Sequence, residues 1–138
     1  MMTDTNEIAK YVKQNTRNKI VFCHGDIDGI SFVNVGLILS QLLTDDESFA
    51  NGYQLLCNRI LNQHLYNSVI GDYIAIENIG ILFEPELKLD LHNIVESFSH
   101  NQCLIIKSDA EINNENLYFL SSGDTATISL SGLSYKLI

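Results

Sequence analysis

Apolar positions fall along this chain in two rhythms, short unbroken runs and steps of three or four, and their alternation predicts the layout of the fold. The runs at 20–23, 72–77 and 102–107 are rich in isoleucine and other strand formers. Each reads as a strand buried on both faces, as in a parallel sheet. Ile8, Ala9, Tyr11 and Val12 mark an amphipathic helix over 4–14, opened by Thr3 and Asp4 with Glu7 in an early turn. Residues 31–43 are apolar nearly all round, with Gly36 among them, and predict a buried helix that stops at the polar stretch 44–47. Leu87, Leu91, Ile94, Val95 and Phe98 recur at helical steps and predict a helix over 87–98.

Other segments complete the layout. Residues 53–57 predict a short strand, and 58–68 a helix with Ile60, Leu61, Leu65 and Val69 near one stripe. The apolar stretch 79–83 runs into Pro85, which marks a break or a helix start. Segments 117–120 and 125–130 read as β structure around a turn at 121–124. Strands alternating with helices predict an α/β fold of three layers around a mostly parallel sheet, finished by antiparallel strands. With no repeat, linker or low-complexity stretch, residues 1–138 read as one domain.

Composition agrees with that size of core. The 138 residues are 46% apolar and 18% charged, enough to bury a sizeable interior and to exclude overall disorder. Eight Lys and Arg against seventeen Asp and Glu leave a net charge of -9. The basic excess that a stand-alone grip on nucleic acid needs is missing, whereas a basic partner protein, one that itself holds DNA, suits this surface. No apolar run reaches the roughly 18 residues of a membrane span, and the first residues lack the apolar core of a secretory signal. A soluble protein of the cytoplasm is the expectation. Cys23, Cys57 and Cys103 are odd in number, widely spaced and set in apolar stretches, so they read as buried free thiols rather than a disulfide or zinc site.

Chemistry is expected first in the loop after residue 23, because ligands of open parallel sheets sit beyond the carboxyl ends of the strands. Its residues are His24, Gly25, Asp26, Ile27, Asp28, Gly29 and Ile30, followed by Ser31. A phosphate-binding loop of the form GxxxxGK[ST] uses glycines for the turn, backbone N–H groups and a Lys for the phosphates, and a hydroxyl for magnesium. On that frame His24 replaces the first Gly, Gly29 keeps the second, Ile30 stands in the place of Lys, and Ser31 keeps the hydroxyl. Asp26 and Asp28 add two negative charges that oppose a triphosphate. Nucleotide binding is therefore expected to be weak or lost, with Gly25, Asp28, Gly29, Ile30 and Ser31 as the residues nearest any ATP-magnesium. Glu77, at the end of the strand 72–77, lies where an acid would hold magnesium or orient water. Its other reading is an acid that caps the following turn.

The same loop also fits a second chemistry. An extended His24-x-Asp26-x-Asp28 array would point three metal ligands to one side. His-x-Asp-x-Asp-Gly-x-x-Ser resembles the first motif of DHH-type phosphoesterases, in which a manganese pair activates water, although Ser31 comes one place early and Phe32 stands at the usual hydroxyl position. An Asp-His-His triplet is missing, and Asp90-Leu91-His92 is the nearest approach to one. The remaining histidines, His64, His92 and His100, read as surface or capping residues. Arg59 and Lys88 read as isolated, solvated cations.

The carboxyl half carries a broader likeness. Glu77-Asn78-Ile79, then Leu82-Phe83-Glu84-Pro85-Glu86-Leu87-Lys88, then a helix through Phe98, then Ser99-His100-Asn101 before the strand at 103–106, resemble in order the BrxF family, the small P-loop proteins of BREX phage-defence systems. Upstream, Leu55-Leu56-Cys57-Asn58-Arg59-Ile60-Leu61 is similar to a Leu-rich segment of that family. The resemblance implies a P-loop NTPase-like fold with a degenerate nucleotide loop. It implies an accessory role in a bacterial defence complex through contacts with other defence proteins. The chain departs from the family in lacking the loop Lys, in carrying Glu77 for an Asp and His100 for an Arg, and in a tail where only Tyr118 and Gly123 are matched. A protein-binding α/β module unrelated to either family, its loop a simple acidic turn, is the third expectation.

Overall fold

A computed structural model describes residues 4–14, 17–44, 54, 56–62, 65–83, 89–100, 102–108, 111–113, 116–121 and 124–138. The expected parallel strands form the centre: β1 (Ile20–Cys23), β4 (Gly71–Glu77) and β5 (Cys103–Lys107). They are joined by β2 (Val33–Asn34), β3 (Leu65–Asn67) and β9 (Tyr135–Leu137). Spatial order is β2-β4-β5-β1-β9, with β3 also paired to β4. All pairs are parallel except β3 with β4. A separate antiparallel sheet of β6 (Glu111–Asn113), β7 (Asn116–Ser121) and β8 (Asp124–Ser129) accounts for the β pattern near the end of the chain.

Successive side chains of a strand point to opposite faces, so each central strand feeds two cores. On one face Ile20, Phe22, Ile74, Ile76, Leu104 and Ile106 pack with α2 (Val35–Thr44), a π-helical turn (Cys57–Leu61), a 3-10 turn (Ile79–Phe83), α3 (Leu91–Phe98) and the small sheet. On the other, Val21, Cys23, Tyr73, Ala75, Cys103 and Ile105 pack with Ile8 and Tyr11 of α1 (Asp4–Gln14) and with Ile27 and Ile70. That is the expected mostly parallel α/β arrangement of three layers. Each buried Ile, Leu or Val contributes about 1.5–3 kcal/mol of transfer free energy to holding the layers together.

Four expectations are corrected. The helix expected over 31–43 starts at Val35, because Val33 and Asn34 leave the loop to pair with Ile76 and Glu77. Asn34 then caps the helix, its side-chain oxygen accepting the Leu37 N–H at 2.9 Å. The strand expected at 53–57 is helical at Gln54 and Leu56 and turns at Cys57. The helix expected over 58–68 keeps Ile60 and Leu61 in the core, but its second half is β3. There the Asn67 side chain accepts the N–H groups of Val69 and Ile70 and turns the chain into β4. The helix expected over 87–98 is seen from Leu91, behind an Asp90 cap; Pro85, Lys88 and the turn residues Ser122 and Gly123 lie outside the described residues, as does His64.

Cys23, Cys57 and Cys103 are free; Cys23 and Cys103 are buried as expected, whereas Cys57 is half-buried. Among the described residues no helix is long and apolar enough to cross a membrane.

Candidate functional site at the carboxyl edge of the sheet

Parallel register brings the ends of three strands to one level. Cys23 of β1 is aligned with Lys107 of β5, and Ile106 with Ile76, so Glu77 and Lys107 follow side by side. They continue the rows 73, 75, 77 and 103, 105, 107 on the α1 side, where the apolar strands give way to charge at the edge.

Lys107 sits at the centre of the charged groups. Its ammonium nitrogen lies 2.8 Å from a Glu77 carboxylate oxygen and 2.5 Å from one of Asp26. The nitrogen also stands 5.0 Å from the centre of the Phe32 ring. Asp26 first and Glu77 second hold this ammonium above the ordinary lysine range by hydrogen bonding to its charged form. Glu77 and Lys107 are partly shielded, whereas Asp26 is 85% exposed and its bridge is correspondingly screened. The glutamate expected near phosphates or a metal is thus paired to a cation from the neighbouring strand.

Two of the loop's amides, those of Ile30 and Ser31, are engaged inside the chain. Residues 27–30 make a turn closed by the Ile30 N–H on the Ile27 carbonyl at 3.1 Å, with Gly29 at φ 82. That positive φ at the third position is the feature that calls for glycine in a type II turn. Ile27 is buried in the α1-side core and anchors the loop. The Ser31 N–H donates to the Tyr73 hydroxyl at 3.0 Å, and the Gly29 carbonyl accepts from the Asn67 amide at 3.1 Å. Gly25 and Asp28 are exposed.

The helix start that should receive phosphate lies four residues further on and is filled. The Leu37 N–H is capped by Asn34, and the Gly36 N–H donates to the Asn78 carbonyl at 3.0 Å. Asn78 in turn donates from its side-chain amide to the Asn34 oxygen at 2.8 Å. A triphosphate seated as the GxxxxGK[ST] frame demands would need the Ile30 and Ser31 amides and a lysine there; this loop has both amides already bonded and Ile30 where the lysine belongs.

The His24-x-Asp26-x-Asp28 array does not converge either. His24 Nδ1 lies 2.9 Å from the Ser108 carbonyl and so faces a backbone acceptor rather than the two aspartates. Asp26 turns instead to Lys107. Among the described residues no three His, Cys, Asp or Glu side chains are placed to hold a metal. Beside His24 a cavity of about 310 Å³ runs between the main sheet and the small one, lined mostly by apolar residues such as Phe22, Ile106, Leu117 and Leu137.

The other histidines have local partners. His92 Nδ1 lies 2.7 Å from the Ser129 carbonyl, tying α3 to β8, and its other nitrogen lies 3.6 Å from Glu96. The exposed His100 offers its carbonyl to the Lys19 ammonium at 2.8 Å. Arg59 is exposed, as expected of a solvated cation.

Sequence reasoning missed Lys107, which it placed only as the last residue of a strand. A signal was present: a lysine ending one buried strand and a glutamate ending another must meet if the strands are neighbours in register. The neighbour relation itself, β5 between β1 and β4, is a property of the assembled sheet.

Fold and site together define a class: a mostly parallel α/β protein whose carboxyl edge carries an acidic loop ion-paired to a lysine of the neighbouring strand. Comparison with protein-family models, curated proteins and solved structures finds no match.

Proposed function

We propose that this protein is an interaction module built on a degenerate P-loop-like core, acting through protein contacts with nucleotide binding weak or lost. One observation carries the proposal: the backbone donors that would cradle phosphate at Ile30, Ser31, Gly36 and Leu37 are already bonded within the chain. The charge balance works in the same direction, because two carboxylates, Asp26 and Glu77, meet one ammonium, and the exposed Asp28 of the same loop adds a further negative charge that repels anions. An acidic protein of net charge -9 is attracted to a basic partner. The setting of a BREX-like phage-defence complex, with other defence proteins as partners and the cytoplasm as location, rests on the sequence resemblance alone.

A second reading is metal-dependent phosphoester hydrolysis, favoured by the meeting of Asp26 and Glu77, from different strand ends, around one cation. Thermal shift separates the two, since a ligand selective for the native state raises the midpoint. The interaction module is expected to shift with neither ATP-magnesium nor manganese, and to co-purify with a basic partner when both are expressed together. A shift with ATP-magnesium that Gly29→Ala removes would contradict it. A manganese shift that Asp26→Asn removes would favour the hydrolase reading instead.

A further inference from the structure

We infer that the cavity beside His24 is a binding site for a compact apolar molecule carrying one uncharged hydroxyl. The inference goes beyond the interaction-module reading and does not depend on it. The cavity lies between the carboxyl ends of β1, β5 and β9 on one side and the small sheet on the other, and it measures about 310 Å³. Protein interiors are close-packed, and gaps larger than a water molecule are few. This space is about twice the roughly 150 Å³ of a cavity that accepts benzene, and it falls at the lower end of the range for small-molecule pockets. It also occupies the place where open parallel sheets bind ligands, beyond the carboxyl ends of the strands.

The walls set the chemistry of the occupant. Phe22 and Ile106 from the main sheet and Ile112 and Leu117 from the small one supply carbon surface, and no side chain of the described lining carries a fixed charge. A charged head would therefore gain no partner and lose its hydration. Leu137 completes the wall and is 58% exposed, apolar surface that a ligand would take out of water. The exposed His24 stands at the mouth. Its Nδ1 lies 2.9 Å from the Ser108 carbonyl, a contact that orients the ring and leaves Nε2 for a ligand. A hydroxyl both donates and accepts, so it fits Nε2 in either tautomer. Scaled from the benzene case, about ten to twelve non-hydrogen atoms fill the space. That is one ring with a short alkyl group, less than the backbone and side chains of a docked strand, so a small molecule is favoured over a peptide.

Titration of the purified full chain with para-propylphenol and, separately, with propylbenzene tests this, followed by calorimetry and by amide shifts of an isotope-labelled sample. The phenol is expected to bind saturably at one site, with the largest shifts at His24, Leu117 and Leu137. Propylbenzene should bind about two- to tenfold more weakly, the worth of one hydrogen bond. His24→Ala should bring the two compounds to equal affinity. Leu137→Glu, a change at an exposed position, puts a charge into the wall and should weaken both by about tenfold or more. If circular dichroism shows that variant unfolded, Ile112→Trp, which fills the space instead, takes its place.

No saturable binding of the phenol to wild type, or binding that the folded wall variant leaves unchanged, would overturn the site. Equal affinity of wild type for the two compounds would overturn the part given to His24 and the hydroxyl. Dimerisation in sedimentation that Leu137→Glu abolishes would give the cavity to a second copy of the chain and overturn the inference as well. The interaction module stands or falls separately, on the nucleotide, manganese and co-purification measurements.

Discussion

Gly36 illustrates how a residue's meaning is set by its neighbours. Inside an apolar helix it looks like a propensity fault, costing about 1 kcal/mol against alanine. In the structure a Cβ at this position would fall 2.4 Å from the Asn78 amide nitrogen and 3.0 Å from the Asn78 carbonyl oxygen. Asn78 cannot swing away freely, because its carbonyl accepts from Gly36, its amide is bonded to Asn34, and its backbone takes the left-handed φ of 54. Gly36→Ala is therefore expected to destabilise by about 1–3 kcal/mol rather than stabilise, as measured by urea unfolding. An unchanged or higher midpoint would show that the Asn34–Asn78 contact is slack.

Residue identity alone was enough for some of the site and not for the rest. His24, Asp26 and Asp28 stand out in the sequence as polar residues in a loop that carries two glycines. Their partners do not, since Ser108 and Lys107 are more than eighty residues away along the chain. Asn18 is similar. It is fully buried, donates to Ser99 Oγ at 3.1 Å and accepts at its carbonyl from Ser134 Oγ at 2.6 Å, joining three distant segments.

At the level of elements, the start of α2 decides what the loop can bind. Hydrophobic pattern extends the helix back to Ser31 because Ile30, Phe32 and Val33 are apolar. Pairing of Val33 and Asn34 with β4 wins over helical continuation, and Asn34 supplies the cap. Asn34→Ala should cost about 1 kcal/mol for the cap, with a further loss from the unsupported Asn78 amide. Protection of the Leu37 amide in hydrogen exchange should fall in that variant. Full protection would mean that another group takes over the cap.

Tyr73 connects the same loop to the sheet. Its ring is buried on the α1 side and its hydroxyl accepts from the Ser31 N–H. Tyr73→Phe should leave the ring packing intact, cost about 0.5–1.5 kcal/mol and speed hydrogen exchange at Ser31. The helix expected over 58–68 failed because Leu65, Tyr66 and Asn67 pair with Tyr73, Asp72 and Gly71 of β4, with the Asn67 side chain making the turn between the two strands.

For the whole molecule, the core on the α1 side of the sheet, which holds both Cys23 and Cys103, gives stability a particular pH dependence. Burial pushes the Cys103 thiol from its ordinary 9.0 up to about 12 and the Cys23 thiol up to about 11. In both, burial disfavours the thiolate, and nearby Lys19 or Lys107 offsets part of the effect. The folded state thus keeps protons that the unfolded chain releases. Their contribution is complete below about pH 9 and is lost as pH rises towards 11 for Cys23 and 12 for Cys103. Unfolding midpoints measured across that range should decline, and Cys103→Ser should flatten the decline even if it lowers the starting value. In native protein at mild alkaline pH, iodoacetamide should label the half-buried Cys57 ahead of the other two.

The amino-acid sequence by itself determined that the central strands are buried on both faces, that α1 is amphipathic, and that the loop after β1 is acidic. These are local consequences of which residues avoid water and which carry charge, and no distant contact alters them. Only the tertiary structure decided that β5 lies between β1 and β4, and so that Lys107 reaches both Asp26 and Glu77. Strand order follows from how the helices and turns close over the sheet, and a charge pair across it exists only once that closure has set the register.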